Sequence, residues 1–339
     1  MKTQLLNEHQ IDKAASLLQA GEAVGMPTET VYGLACDAFQ PDAVRKVFAA
    51  KGRPADNPLI VHIAALSEWA PLVQSIPPLA MRLAQRFWPG PLTIILPRSE
   101  RIPAVTAGGL DSVGVRFPAH PIAQAMIRAA GVPLAAPSGN RSGSPSPTTS
   151  AHMMADMDGR IPAIVEGGAC LCGVESTVLA LDDAQTVRVL RPGFVTPEQL
   201  SEVAENVIVD PAVLAQLDPN AVVRSPGMKY KHYAPKAEVM LVNGDFPHFL
   251  KAVQSRCDSG SAVLVFDADT AACEQAGIRA IGYGDTDEER AAQIFARLRE
   301  LDECGIQQVF VRAPRTDGVG LAVYNRLIRA AGFRILNAD

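Results

Sequence analysis

The sequence predicts an α/β protein of two domains, the first on a large mixed sheet and the second on a smaller, mainly parallel one. Three observations carry this. The chain has 339 residues, more than twice the usual domain length of about 150. Short apolar runs alternate with helical periods before residue 195 and again after residue 238. Between those stretches, residues 210–237 hold Pro211, Pro219, Pro226 and Pro235 and no sustained period, which reads as a linker.

Taken in order, Ile11, Ala14, Ala15 and Leu18 repeat at helical spacing and stop at Gly21. Ala23 to Met26 forms a short strand cut by Pro27. Pro41-Asp42 opens a second helix that runs through Val44, Val47 and Phe48 to Gly52. Strand-like runs lie at 59–63, 92–96, 113–117, 134–136, 163–165, 176–181 and 187–190. Helices are expected over 66–74, 78–88, 120–130 and 149–157. After the linker, strands at 239–242, 262–266, 279–283 and 309–312 alternate with helices near 246–257, 269–276, 286–303 and 319–331. That rhythm implies a Rossmann-like parallel sheet. No Gly-x-Gly-x-x-Gly follows its first strand, so it is assigned no dinucleotide site. The expected division is 1–209, a linker 210–237 and 238–339.

The formal charge is −5, from 31 basic and 36 acidic residues, which excludes a cationic nucleic-acid coat. No run of about 18 apolar residues occurs, so no membrane span is expected. Residues 1–10 are polar and lack a signal-peptide core. The six cysteines are too sparse for a disulfide scaffold, and Cys170-Leu-Cys172 has no partner pair at zinc-site spacing. These features point to the cytosol and to structural or incidental thiols.

Polar segments rich in proline cluster at the strand ends of the first domain, where open α/β sheets bind ligands. Lys51-Gly-Arg53 places two cations one residue apart. In an extended segment both would face one side, ready for a carboxylate or phosphate; a solvated helix end is the plainer alternative. Glu29, between Thr28 and Thr30, is either a helix cap or a general base. His62 points away from its apolar neighbours, a position that packing alone also explains. The Ser138–Gly143 segment is similar to an anion nest but is no P-loop. The centre of the linker, Ser225 to Pro235, is too aromatic and cationic for a spacer and is expected to dock.

Six ordered segments together resemble the YrdC family of threonylcarbamoyl-AMP synthases, in its long two-domain form. They are Pro27 to Leu34, Lys51-x-Arg53 with Asn57-Pro58, Trp88-Pro-Gly-Pro-Leu-Thr93, Val113 to Pro118, Pro137-Ser-Gly-Asn140 with Ser144 to Thr148, and Glu175-Ser-Thr177. The resemblance implies a YrdC-like twisted sheet and the formation of L-threonylcarbamoyladenylate and pyrophosphate from L-threonine, bicarbonate and ATP. It also implies Mg²⁺ carried with ATP, no metal held by protein side chains, and a downstream tRNA threonylcarbamoyl transferase complex as partner. Lys51, Arg53, Ser138 and Asn140 resemble the family's catalytic cluster. Thr30, His62, Arg116, Ala136 and Ser176 resemble its threonine pocket. Arg53, Asn57, Ser138, Ser146, Arg191 and a linker tyrosine, Tyr233 ahead of Tyr230, resemble its ATP contacts. The linker would then cover the site as a lid. A tRNA- or double-stranded-RNA-binding module and a carbamoyl transferase of hydrogenase maturation are the rival readings. The acidic charge and the lack of acylphosphatase and zinc-finger segments weigh against them.

Overall fold

The computed structural model describes residues 2–54, 57–216 and 233–338. These divide into two compact units, one within 2–142 and 146–213, the other comprising 143–145, 214–216 and 233–338. The centre of the expected linker, with Ser225 and Tyr230, lies outside the described residues.

The first unit runs β1 (Gln4–Leu6), α1 (Ile11–Gln19), β2 (Val24–Met26), β3 (Gly33–Asp37), α2 (Pro41–Lys51), β4 (Ile60–His62) and α3 (Pro78–Phe87). It continues through β5 (Leu92–Pro97), β6 (Ser112–Arg116), α4 (Pro121–Ala130), β7 (Leu134–Ala135), α5 (Ser150–Met157) and β8 (Ala163–Val165). It ends with β9 (Thr177–Leu181), β10 (Thr186–Arg191), α6 (Pro197–Leu200) and β11 (Asn206–Val209). The strands make one mixed sheet in the order β1-β8-β2-β3-β7-β4-β6-β5-β9-β10-β11.

Both faces of this sheet are covered. Ala14 and Leu18 of α1 join Ala123, Met126 and Ile127 of α4 on one side. Val44, Val47 and Phe48 of α2, Leu79 and Leu83 of α3, and Met153 and Met157 of α5 pack on the other. A sheet buried on both faces explains why its strands read as apolar runs.

Three differences from the sequence expectation concern local chemistry. Residues 66–74 form two 3₁₀ turns, Leu66–Glu68 and Ala70–Leu72, because Pro71 lacks the N–H that a continuous helix needs. Strand β3, Gly-Leu-Ala-Cys-Asp, was not expected from the sequence. Its neighbours β2 and β7 enclose it so fully that no alternation marks it. Strands β1 and β11 pair at the sheet's two ends and were also unforeseen.

The second unit is a five-stranded, all-parallel sheet ordered β14-β13-β15-β12-β16. Its elements are β12 (Glu238–Asn243), α7 (Phe246–Gln254), β13 (Ser261–Val265), α8 (Thr270–Gln275), β14 (Ala280–Gly282), α9 (Asp287–Glu303), β15 (Gln308–Arg312), α10 (Gly320–Ala330) and β16 (Ile335–Asn337). This matches the expected strand–helix alternation, with β16 added at one edge. Among the described residues no helix is long and apolar enough to cross a membrane.

Candidate active site

The Lys-x-Arg pair is not extended. Lys51 is the last residue of α2, and Gly52 ends the helix in the left-handed conformation, with φ of 64°. Lys51 is also not a solvated helix end, since only 3% of it is exposed. Its Nζ donates to the backbone oxygens of Ser138 and Asn140 and reaches Asn140 Oδ1 at 3.4 Å. Ser138 Oγ donates to the same Oδ1. Burial, then the nearby charge of Arg53, pushes the Lys51 ammonium well below its usual pKa. Lys51, Ser138 and Asn140 therefore form one hydrogen-bonded cluster, with Arg53 close enough to perturb it.

Strands set the second cluster. His62 ends β4 and is paired in register with Arg116, the last residue of β6. Thr93 of β5 pairs with Arg116 from the other side. Arg116 Nη1 donates to Thr30 Oγ1 at 2.8 Å, its Nε to Gly90 O at 3.3 Å, and its Nη2 lies 2.7 Å from Glu29 Oε1. All four ligand-type residues here, Glu29, Thr30, His62 and Arg116, are buried. Glu29 does not cap a helix, contrary to one expectation: residues 29–31 form a bend ahead of β3.

The charges of this cluster offset one another. Burial alone would raise the Glu29 pKa, but Arg116 and the facing N–H groups of Ala119 and Glu29 hold it below the usual carboxylate value. Burial and the Arg116 charge lower His62 to about 3, so its ring is neutral at pH 7. His62 Nδ1 sits 3.2 Å from Ile60 O. A carbonyl only accepts, so that nitrogen carries the ring proton.

Ser176 completes the sheet side of the site. Its hydroxyl meets Thr93 Oγ1 at 2.8 Å and accepts from Arg191 Nη2 at 3.1 Å, while Arg191 Nε donates to Ser176 O. The close crossing at Gly193 fixes this turn, since a Cβ there would lie 2.3 Å from Thr177 N and 2.7 Å from Glu175 O. Ser146 donates to Glu175. Thr93 was named in the sequence only as the end of a motif and given no role, because its partner Ser176 lies 83 positions away.

Hydrogen bonds tie the two clusters together. Leu34 N–H donates to Pro137 O, Gly139 N–H to Tyr32 O, and Tyr32 N–H to Pro147 O, each at 2.8 Å. The 27–34 segment, which holds Glu29 and Thr30, is thus stitched to the 137–148 loop, which receives Lys51. Ala136 N–H donates to Ile60 O, placing that backbone beside β4. Asn57 is buried, and Gly108 packs on its backbone where a Cβ would lie 2.8 Å from Asn57 C. Tyr233 belongs to the second unit. It is buried there, with φ of 65°, against Phe295 at 5.2 Å between ring centroids and under Arg326.

Met153 packs on Gly139, with Cε 2.6 Å from where a Cβ would stand. Cys170 and Cys172 are free and buried. Cys172 N–H donates to Glu29 O and Cys170 N–H to Thr148 O, so the 170–172 turn closes over the Glu29 side. Among the described residues no group of three His, Cys, Asp or Glu is placed to hold a metal.

Comparison with known proteins gives a consistent result. The Sua5–YciO–YrdC family, described as telomere recombination, matches residues 16–193. The threonylcarbamoyl-AMP synthase C-terminal domain matches residues 195–332. The chain is 42% identical to the threonylcarbamoyl-AMP synthase of Pyrococcus abyssi over 335 residues, 98% of this chain and 96% of that one. It is 44% identical to the Bacillus subtilis threonylcarbamoyl-AMP synthase over 338 residues, 97% of this chain and 95% of that one. The crystal structure of P. abyssi Sua5 complexed with L-threonine superposes with a TM-score of 0.90 at 41% identity, covering 99% of this chain and all of that one.

Proposed function

This chain belongs to the Sua5–YciO–YrdC family in its threonylcarbamoyl-AMP synthase form, and we propose that it joins L-threonine, bicarbonate and ATP into L-threonylcarbamoyladenylate with release of pyrophosphate. One observation carries the reading beyond family membership. The 27–34 segment is hydrogen-bonded to the 137–148 loop, so a buried Arg116–Thr30–Glu29 group suited to an amino acid adjoins a Lys51–Ser138–Asn140 group suited to phosphate.

The reactants explain the residue types. Bicarbonate, ATP and the α-carboxylate of threonine are anions, which local cations attract even in an acidic protein. Arg116 offers its guanidinium to the threonine carboxylate beside the Thr30 hydroxyl. His62, neutral, Ser176 and the Ala136 backbone are assigned to the threonine pocket on the family pattern. Addition of the amine to bicarbonate gives a carbamate. A carbamate oxygen then bonds to the α-phosphorus of ATP as the bond to pyrophosphate breaks. Lys51 and Arg53 answer the negative charge that accumulates on the phosphoryl oxygens and the leaving pyrophosphate. Ser138 and Asn140, already locked to Lys51, orient that charge. Asn57, Ser146, Arg191 and Tyr233 are assigned to the nucleotide on the family pattern.

Among the described residues no carboxylate cluster is placed to hold a metal; a Mg²⁺ ion would be held by the triphosphate and its waters. Bound in that way the ion would neutralise phosphate charge. The product is a reactive mixed anhydride, so a tRNA-modifying transferase must consume it promptly; we place the protein with tRNA in the cytosol for that reason.

Purified protein given threonine, bicarbonate and Mg·ATP is expected to release pyrophosphate well beyond a threonine-free control. No threonine-dependent release overturns the reading. Lys51→Ala or Arg53→Ala should cut turnover by about 100-fold or more, with circular dichroism unchanged; near-normal turnover would remove that residue from the cluster.

A further inference from the structure

Glu29 remains unexplained by the roles assigned so far. It is buried, with 6% of its surface exposed, and its carboxylate oxygens face Arg116 and the N–H groups of Ala119 and Glu29 without a well-aligned hydrogen bond to any of them. Arg116 Nη2 approaches Oε1 to 2.7 Å, but not along a hydrogen-bond direction. A buried carboxylate left this way is costly unless something else completes it. Among the described residues Arg116 is the cation that acts on it. His62 is neutral, and burial pushes the Cys170 and Cys172 thiols up, Cys172 to about 12.

We propose that Glu29 receives the α-ammonium of L-threonine and takes one of its protons, while Arg116 and Thr30 receive the α-carboxylate. This rests on the functional reading above. A zwitterionic amino acid entering here converts one buried ion pair into two without changing the net charge. Arg116 turns its guanidinium to the substrate carboxylate, and Glu29 turns a carboxylate oxygen to the ammonium.

The exchange also times the chemistry. Arg116 holds the Glu29 carboxyl acidic in the free protein. A substrate carboxylate that shares Arg116 weakens that hold, so Glu29 becomes more basic when the ammonium must lose a proton. One N–H proton passes to the Glu29 carboxylate. The freed nitrogen lone pair forms the N–C bond to bicarbonate, and the C–OH bond breaks. The departing hydroxide takes a second N–H proton and leaves as water. The products are the carbamate anion, water and protonated Glu29, which returns its proton to solvent.

The test compares the full-length wild type with Glu29→Gln, a neutral substitution of the same shape. Threonine-dependent pyrophosphate release by the wild type is the control for the functional reading, and its absence would overturn that reading separately. Glu29→Gln is expected to lose about 100-fold in kcat while its Kd for ATP is unchanged. The second readout is competition by 2,3-dihydroxybutanoate, which replaces the ammonium by a hydroxyl. Wild type should prefer threonine by about tenfold or more, and the variant should lose most of that preference. Wild-type turnover and undiminished preference in Glu29→Gln would overturn the assignment. Should the variant not fold, the wild type alone decides: equal binding of threonine and the hydroxy acid would equally overturn it.

Discussion

Burial and the Arg116 guanidinium lower the His62 pKa to about 3, whereas an unfolded chain protonates histidine near about 6.5. Between those values the unfolded state binds the extra proton. Stability is therefore full above about pH 6.5 and falls as the pH drops toward about 3. Denaturation midpoints recorded from neutral pH down to about pH 4 should decline, with His62 contributing up to about 1.4 kcal/mol per pH unit. His62→Gln should flatten that decline; an unchanged slope would assign the acid sensitivity to other groups. At this scale the sequence singled out the residues that the structure clusters, but not how they sit. Lys51 was legible as a cation in a motif, yet its helix-terminal position and burial depend on a loop 87 positions away. Glu29 was readable as a carboxylate between two threonines, but its pairing with Arg116 was invisible until β6 was set beside β4.

Strands and turns carry these residues by register, so small backbone changes should act at a distance. Gly193 crosses Glu175-Ser176-Thr177 so closely that an added Cβ meets backbone atoms only, none of which can swing aside. Gly193→Ala is expected to cost about 1–3 kcal/mol and to raise the KM for threonine by displacing Ser176. Thermal unfolding and initial-rate measurements would check both parts; an unchanged melting temperature would contradict the crossing. Elements with a clear period, such as α1, α2 and α9, were read from the sequence to within a residue or two. Those without one were missed for physical reasons. Strand β3 has a glycine and two small residues among its five and is buried along its whole length. The turns at 66–72 look helical until Pro71 is weighed against Trp69, which packs on Trp88 at 4.7 Å.

The whole molecule carries a net charge of −5, and its cations matter by where they are buried. The first unit owns both apolar layers around its sheet, so a chain ending at Val213 should unfold cooperatively on its own. The same truncation tests the expected covering role of the segment beyond it. Weaker ATP binding or escape of the adenylate into solution is the expected result, and unchanged kinetics would reject a lid. The first unit's edge has one more implication. Strand β1 pairs in parallel with β8, and Thr3 N–H donates to Asp158 Oδ1 across 155 positions. On the ribosome, strand β1 must therefore wait for β8, made much later, before it finds its partner strand. A contact of such sequence separation slows refolding, and the unpaired edge of β8 is exposed to other chains in the interval. Dilution from denaturant should give better recovery of native protein at low concentration, where that edge meets its own β1 before a neighbour's.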